Sequence, residues 1–346
     1  MRPWPDEPAR PRREPDPLDE LRRAGVELDP ARPSEHRHGD LVHAHDHPHP
    51  HRASEPGAHP LIGIVGAGAV GTALGLAFTR AGWPVSAVAS RDPGRRERFL
   101  RLVGPGTRAF AEANALLDEV ELIFLTVPDD AIPVVAGELH LYSGQALVHT
   151  SGLLGAEVLA PAMAAGTQIG SFHPLVAFAD TERAVAALRG ATVALEGDDQ
   201  LVALLAELAE AIGALPVRLA PGAKAAYHAA AVLAAGGFVA LLDAIAELGR
   251  VAGLDEAGAL AVYGPLVRQA LGNAQALGIR AALTGPITRG DVGTLEAHLA
   301  ELRRHAPAVL PLYLAAAERE VELAEARGAL APDVAARLRR SLAKPA

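Results

Sequence analysis

The sequence predicts an α/β protein: a doubly wound, mostly parallel sheet of Rossmann type, followed by an all-helical C-terminal domain. Three observations predict it. From Pro60 to about Ala220, short apolar runs of strand length alternate with longer runs of helical period. A glycine-rich turn, "GAGAVG", joins the first of these strands to the first helix. Beyond Pro221 the β signal ends, and long Ala- and Leu-rich helical runs take over.

In chain order, "LIGIVGAG" reads as a buried strand and "AVGTALGLAFTRAG" as a helix that ends at Gly82. "PVSAVAS" is a second strand. Asp92-Pro93 reads as an N-cap followed by Pro at the first helical position, opening a helix through "GRRERFLRLV". Strands follow at "TRAF", "ELIFLTVP", "QALVHTSG", "TQIGSFHP" and "ATVALEG"; "DDQLVALLAELAEAIGA" is a helix and "LPVRLA" the last strand. The helical part begins with one long run, "AKAAYHAAAVLAAGGFVALLDAIAELGRVAG", and a second through "EAGALAVYGPLVRQALGNAQALG". A Gly/Pro/Thr-rich loop, "LTGPITRGD", separates these from "TLEAHLAELRRH", "VLPLYLAAAEREVELAEARG" and "PDVAARLRRSL". The expected division is therefore a tail at 1–58, a dinucleotide-binding domain at 59–220 and a helical domain at 221–346.

Composition bounds the function. Half of the 346 residues are apolar, enough for a sizeable core, but only 4% are aromatic. A net charge of -9 with no basic block in the folded part argues against nucleic acid. The absence of Cys excludes disulfides, thiolate catalysis and cysteine-ligated clusters, and is compatible with a reducing cytosol. No secretory apolar segment follows Met1, so the expectation is a cytoplasmic protein. Ala225 to Leu242 carries no Asp, Glu, Lys or Arg, yet it is Ala-rich and holds Tyr227 and His228; a helix buried inside a soluble domain, not a membrane span, is the expected reading.

Residues 1–58 are rich in Pro, Arg, Asp and His and too poor in apolar residues to fold alone, which predicts a disordered tail. His43, His45, His47, His49 and His51 alternate there; neutral imidazoles at that density bind Ni²⁺, Cu²⁺ or Zn²⁺. The other reading of the tail is a solvated leader with incidental metal affinity.

The chemistry-bearing motifs lie at the carboxyl ends of the strands, where open α/β sheets bind ligands. In Gly66-Ala67-Gly68-Ala69-Val70-Gly71 the first glycine permits the tight turn and the second lets the backbone approach a pyrophosphate. The third lets helix and strand pack closely. The end of the second strand selects the cofactor. An NAD site places an acid there for the ribose 2′-OH; this chain has Ser90 and Arg91, with Arg95 and Arg96 just beyond, which suit a 2′-phosphate. Asp92 is assigned to the helix cap. NADP(H) is the expected cofactor.

Three further clusters follow strands: Thr126-Val127-Pro128 with Asp129, His149 to Gly152 ("HTSG"), and "SFHPL" around His173. Thr126, Val127 and Pro128 are expected to pass over the cofactor. His149, Ser151, Gly152 and His173 are expected to hold the substrate carboxylate or carbonyl, the alternative being loop capping. The fourth cluster opens the helical domain. Lys224 and His228, at i and i+4, share a helix face and are candidates for proton transfer to the alkoxide or amine formed by reduction. For His228 the alternative is a satisfied core histidine.

Together "GAGAVG", "TVPDDAI", "HTSG", "SFHPL", "KAAYHAAAV" and "ALTGPITRGDVGTLEAHL" resemble a bacterial family of Rossmann-like proteins with a DUF2520 C-terminal domain. These are relatives of pyrroline-5-carboxylate reductase and of the 6-phosphogluconate/β-hydroxyacid dehydrogenase superfamily. The resemblance spans about residues 60 to 340. It implies an NADP-linked reductase, with a helical domain of the 6-phosphogluconate dehydrogenase-like type through which two copies pair. It leaves the substrate open; some relatives are thought to reduce 2-dehydropantoate. Superfamily members commonly use a Lys-x-x-x-Asn pair, and here Lys224 matches the Lys while His228 stands at the Asn position. The chain departs from the family again where Ala235 and Gly236 replace a Ser and an Asn, which removes a polar contact near the nicotinamide. The expected function is an NADPH-dependent reductase of a small oxo acid or cyclic imine, with the substrate between the sheet edge and the first helix of the helical part. The "TGPITRGD" loop around Arg289 and Asp291 is a candidate to complete that cleft from a partner copy. The alternatives are a non-catalytic NADP(H)-binding or sensing protein, and a metal-binding protein that acts through its tail.

Overall fold

In the computed structural model, residues 35–38, 41–44, 59–220 and 222–344 are described; His59–Ala346 is one compact unit, and in the other, Met1–Ala58, the strand Glu35–His38 pairs antiparallel with the strand Leu41–Ala44. Of the tail histidines, His43 lies on the strand Leu41–Ala44, paired with His36, while His45, His47, His49 and His51 lie outside the described residues, as does the metal binding expected of them.

The first part is an eight-stranded sheet with the order β8-β7-β6-β5-β4-β1-β2-β3. Its strands are β1 (Ile62–Val65), β2 (Val85–Ala89), β3 (Arg108–Phe110), β4 (Leu122–Leu125), β5 (Ala146–His149), β6 (Gln168–Pro174), β7 (Thr192–Gly197) and β8 (Leu215–Arg218). All pair in parallel except β6 with β7, which run antiparallel; β8 is again parallel to β7. The order reverses at β1, with β2 on one side and β4 on the other, the switch point at whose carboxyl ends open α/β sheets bind ligands.

Period-two alternation explains both layers. Ile62, Ile64, Phe124, Val148 and Phe172 face α1 (Ala69–Arg80), α2 (Pro93–Val103), α4 (Thr181–Leu188) and α5 (Asp199–Ala211). Val65, Ile123, Leu125 and Leu147 face the other layer, which includes α3 (Ile132–Glu138) and the 3-10 segments Ala113–Glu119 and Ala156–Ala165. With so few aromatics in the chain, Phe78, Phe124 and Phe172 meet at centroid distances of 5.1 to 6.0 Å in the first layer. Asp92 caps α2 as its sequence predicts, accepting from Gly94 N at 2.9 Å and Arg95 N at 3.2 Å.

The helical part follows at once. α6 (Lys224–Val232), a π-helical turn (Leu233–Gly237) and α7 (Phe238–Val251) make one 28-residue helix. α8 (Glu256–Leu277), α9 (Ile279–Ala282), α10 (Val292–His305), α11 (Leu310–Ala326) and α12 (Pro332–Leu342) complete it. Its core is Leu295, Leu299, Leu302, Val321, Ala324 and Leu338, supplied by α10, α11 and α12.

The first helix corrects an expectation. Its composition predicted burial within the domain, but only 11% of its most apolar stretch is buried in this chain. Leu233 is 71% exposed, and Val239, Leu266, Leu271 and Ile279 on α7 to α9 are exposed as well. The reason is that α10, α11 and α12 fill the helical core among themselves, and the long helix adds to it only Ala244, with Leu248 packed partly buried beside it.

The glycine turn is packed as its sequence demands. Gly66 has φ +110°, where L side chains are strained. A Cβ on Gly71 would stand 2.1 Å from the Gly66 carbonyl oxygen and 2.4 Å from Thr126 Oγ1. Gly71→Ala is therefore expected to destabilise the chain by about 1–3 kcal/mol through overpacking. Gly68, where a Cβ meets nothing within 4 Å, should tolerate Ala at a cost of about 1 kcal/mol or less. Urea unfolding of the two variants checks the difference.

Candidate active site

The glycine turn and the start of α1 form one wall. α1 opens at Gly68 with no side-chain cap and no acid in its first turn, so its N–H groups are free of competing carboxylates. Space opens at Gly68, whereas Gly66 and Gly71 are held against Thr126. The Thr126 hydroxyl donates to the Gly66 carbonyl at 2.6 Å, tying β4 to the turn. At the end of β2 no acid faces the crevice: Ser90 follows Ala89, Arg91 is exposed, and the Arg96 guanidinium donates to the Ser90 carbonyl. The Asp92 carboxylate is committed to its helix cap. This donor set fits a dinucleotide with a 2′-phosphate. Gly66, Ala67, Gly68, Val70 and Gly71 would face the pyrophosphate, Ser90 and Arg91 the 2′-phosphate, and Thr126, Val127 and Pro128 the crevice rim.

The "HTSG" turn is braced from within. His149 is fully buried; its Nε2 bonds the Gly155 carbonyl at 3.1 Å, and its Nδ1 accepts from Ser151 N at 3.2 Å. Burial first, and then the nearby Lys224 charge, lower its pKa to about 4. The ring is thus neutral, with the proton on Nε2. Ser151 Oγ donates to Asp129 Oδ2 at 2.8 Å and accepts from the Leu153 and Leu154 amides at 3.1 and 3.0 Å. Both side chains expected to hold substrate are committed to the turn. Asp129, read at first only as part of "TVPDDAI", is the residue that ties that turn to β4.

The second group gathers where α6 meets the sheet. "SFHP" lies inside β6, not in the loop that follows a strand, and alternation puts Ser171 and His173 on the face opposite Phe172. Lys224, buried at 4% exposure, donates to Ser171 Oγ and, at 3.1 Å, to Glu196 Oε2. Burial lowers its pKa while Glu196, Glu157 and Asp129 oppose that shift. His173 Nδ1 shares a hydrogen bond with the Tyr227 hydroxyl at 3.4 Å. Burial, followed by the Lys224 charge, takes His173 to about 4, and burial takes Tyr227 up to about 12. The His173 and His228 rings stand 5.8 Å apart. Both reach Gly152, where a Cβ would lie 2.2 Å from His228 Nδ1 and 2.7 Å from His173 Nε2. His228 Nδ1 is buried and has no hydrogen-bond partner among the described residues.

The structure thus brings Gly152, His173, Tyr227, His228 and Lys224 together and turns His149 and Ser151 inward. Asp291, in the loop expected to reach the cleft from a partner copy, caps α10 of its own chain by accepting from Thr294 N at 3.0 Å. Ala235 and Gly236 lie in the π-helical turn, two turns of helix beyond His228. Sequence reasoning missed Glu196, read only as part of a strand. One signal for the cluster was available: the chain contains two lysines, Lys224 and Lys344, against thirty arginines. Arg cannot give up its proton near neutral pH and Lys can. No group of three His, Asp or Glu side chains among the described residues is arranged to hold a metal ion.

Residues 49–174 match the model of a Rossmann-like domain, and residues 191–320 match DUF2520, a domain of unknown function. The chain carries a Rossmann-like domain followed by a DUF2520 domain. No curated protein matches its sequence. Among solved structures, a protein from Thermotoga maritima is similar at 27% identity and TM-score 0.61, covering 77% of this chain and 99% of that one. A reductive aminase from Aspergillus terreus, in complex with NADPH and ethyl-5-oxohexanoate, is similar at 19% identity and TM-score 0.59, covering 82% and 99%. A 1-pyrroline-5-carboxylate reductase from Streptococcus pyogenes is similar at 18% identity and TM-score 0.53, covering 78% and 99%. The last two share the fold.

Holding His149 and His173 neutral has a consequence for folding. Their folded pKa values, about 4, lie below the ordinary 6.5, so between these the unfolded chain binds more protons. Stability contributed this way is present above pH 6.5 and lost as pH falls toward 4. Each ring adds a slope of up to about 1.4 kcal/mol per pH unit inside that window. Urea unfolding from pH 4 to 7 should show the loss, with a shallower slope in His149→Gln by about one proton's share.

Proposed function

We propose that this chain is an NADP(H)-dependent reductase of a small oxo acid, 2-dehydropantoate-like, or of a cyclic imine. One observation carries the reading. The orphaned Nδ1 of His228 and the neutral His173 converge on Gly152, and a buried Lys224 is seated beside them on Ser171 and Glu196, at the sheet edge that also holds the glycine turn. When bound, the cofactor supplies a hydride. The side chains supply the rest. The Gly152 backbone and His173 orient the substrate, and His228 Nδ1 finds in it the partner it lacks within the chain. Lys224 gives a proton to the heteroatom that becomes an amine or alcohol. His149, Ser151 and Asp129 hold the turn that places Gly152. The solved structures that carry NADPH in the same fold support the choice of cofactor.

The exposed apolar face of α6 to α9 supports a second part of this reading, a homodimer formed through the helical domain. A second copy would remove Leu233 and its neighbours from water. Light scattering on the purified chain should give twice the monomer mass, and Leu233→Glu should shift it toward monomer.

NADPH is expected to bind at least tenfold more tightly than NADH, about 1.4 kcal/mol, with the preference reduced in Arg91→Ala. Calorimetry with both cofactors measures it, and equal affinities would remove the 2′-phosphate assignment. On a substrate found by following NADPH oxidation across 2-oxo acids and cyclic imines, Lys224→Ala should lower kcat and kcat/KM together. Tight NADPH binding with no turnover anywhere in the panel would move the reading to a cofactor-binding protein without catalysis.

A further inference from the structure

Parallel and antiparallel pairing together draw one row of residues across the sheet: Val65, Leu125, His149, Ser171 and Glu196 stand in register on β1, β4, β5, β6 and β7. The row changes from apolar to polar as it leaves the centre. Its last pair arises from the reversal of β7, which sets Glu196 directly opposite Ser171, with neighbouring side chains on one face. The ammonium group of Lys224 is seated on those two side chains, and Glu196 is itself only 13% exposed. The carboxylate lies 28 positions from Lys224 in the chain and belongs to none of the motifs that suggested the site.

We propose that Glu196 is a positioning residue of this site: it keeps Lys224 charged and seated on Ser171, ready to deliver the proton that completes reduction. This rests on the reductase reading above. There the reacting carbon takes a hydride, the π pair moves to the nitrogen or oxygen, and that atom takes a proton from Lys224 Nζ. The lysine is left neutral and is recharged by water. For this the lysine must begin each cycle protonated although it is buried.

The surroundings show why Glu196 is the group that decides this. Around Lys224 stand Glu157 from the 3-10 segment after β5, Asp129 from the loop after β4, His149 on β5 and His173 on β6, with Tyr227 and His228 on its own helix. The histidines His149 and His173 are neutral and contribute no counter-charge. Asp129 is engaged by Ser151, and Glu157 is exposed to solvent. Among these groups only Glu196 combines an opposite charge with a direct hydrogen bond to the ammonium group, and both favour the charged lysine.

The chain's composition makes a direct test practical. With isotope-labelled lysine, the protein gives side-chain NMR signals from only Lys224 and Lys344, and Lys344→Arg assigns them. No cofactor or substrate is needed. In Glu196→Gln the Lys224 titration midpoint should fall by about one pH unit or more, with Lys344 unmoved. Glu196→Asp should retain part of the parent value. An unmoved Lys224 midpoint in Glu196→Gln overturns the proposal. Should that variant fail to fold by circular dichroism, the same comparison is read from Glu196→Asp, where an unmoved midpoint is equally decisive. On any substrate found by screening, the loss of kcat toward high pH should begin at lower pH in Glu196→Gln while KM holds. If no substrate is found, the reductase reading fails while the titration still decides the role of Glu196.

Discussion

Burying one ammonium group organises the junction between sheet and helices. A lone lysine charge out of water is costly, and it is tolerated here because a carboxylate and a hydroxyl meet it. Those partners lie on adjacent strands at the far side of the sheet, and the lysine is the first residue of the long helix. The contact therefore fixes where that helix begins and which face it turns to the sheet. With the helix so placed, Tyr227 reaches His173 and His228 reaches Gly152. Removing either partner leaves the other buried without compensation, which makes the junction specific rather than merely sticky.

The two walls of the site are built by different physics. The glycine wall depends on absence: missing Cβ atoms let backbone, helix and Thr126 approach more closely than other residues could. The lysine wall depends on a buried charge and its partners. Gly152 belongs to both, since it lies in a polar turn and still needs its missing side chain to admit two imidazoles.

Much of this was legible in the sequence. Strand–helix alternation located all eight strands of the sheet, the glycine motif located the tight turn between β1 and α1, and the Asp92-Pro93 pair gave the cap of α2. The site was legible only in part. "HTSG" advertised a histidine and a serine, but loop chemistry and ligand chemistry use the same residues, and here the loop took both. Glu196 was invisible because periodicity carries no strand direction, and only the reversal of β7 brings it to Lys224. The long helix looked buried because apolar composition reports that a face needs cover, not whether the same chain provides it.

The bond from Thr126 to the Gly66 carbonyl carries one more implication. Gly66, at φ +110° in a turn flexible by composition, is held in place by its own chain. Its conformational entropy is given up when the chain folds, not when a ligand arrives. A ligand that bound this edge, as proposed above, would meet a finished surface, and little of its intrinsic affinity would be consumed in ordering the loop.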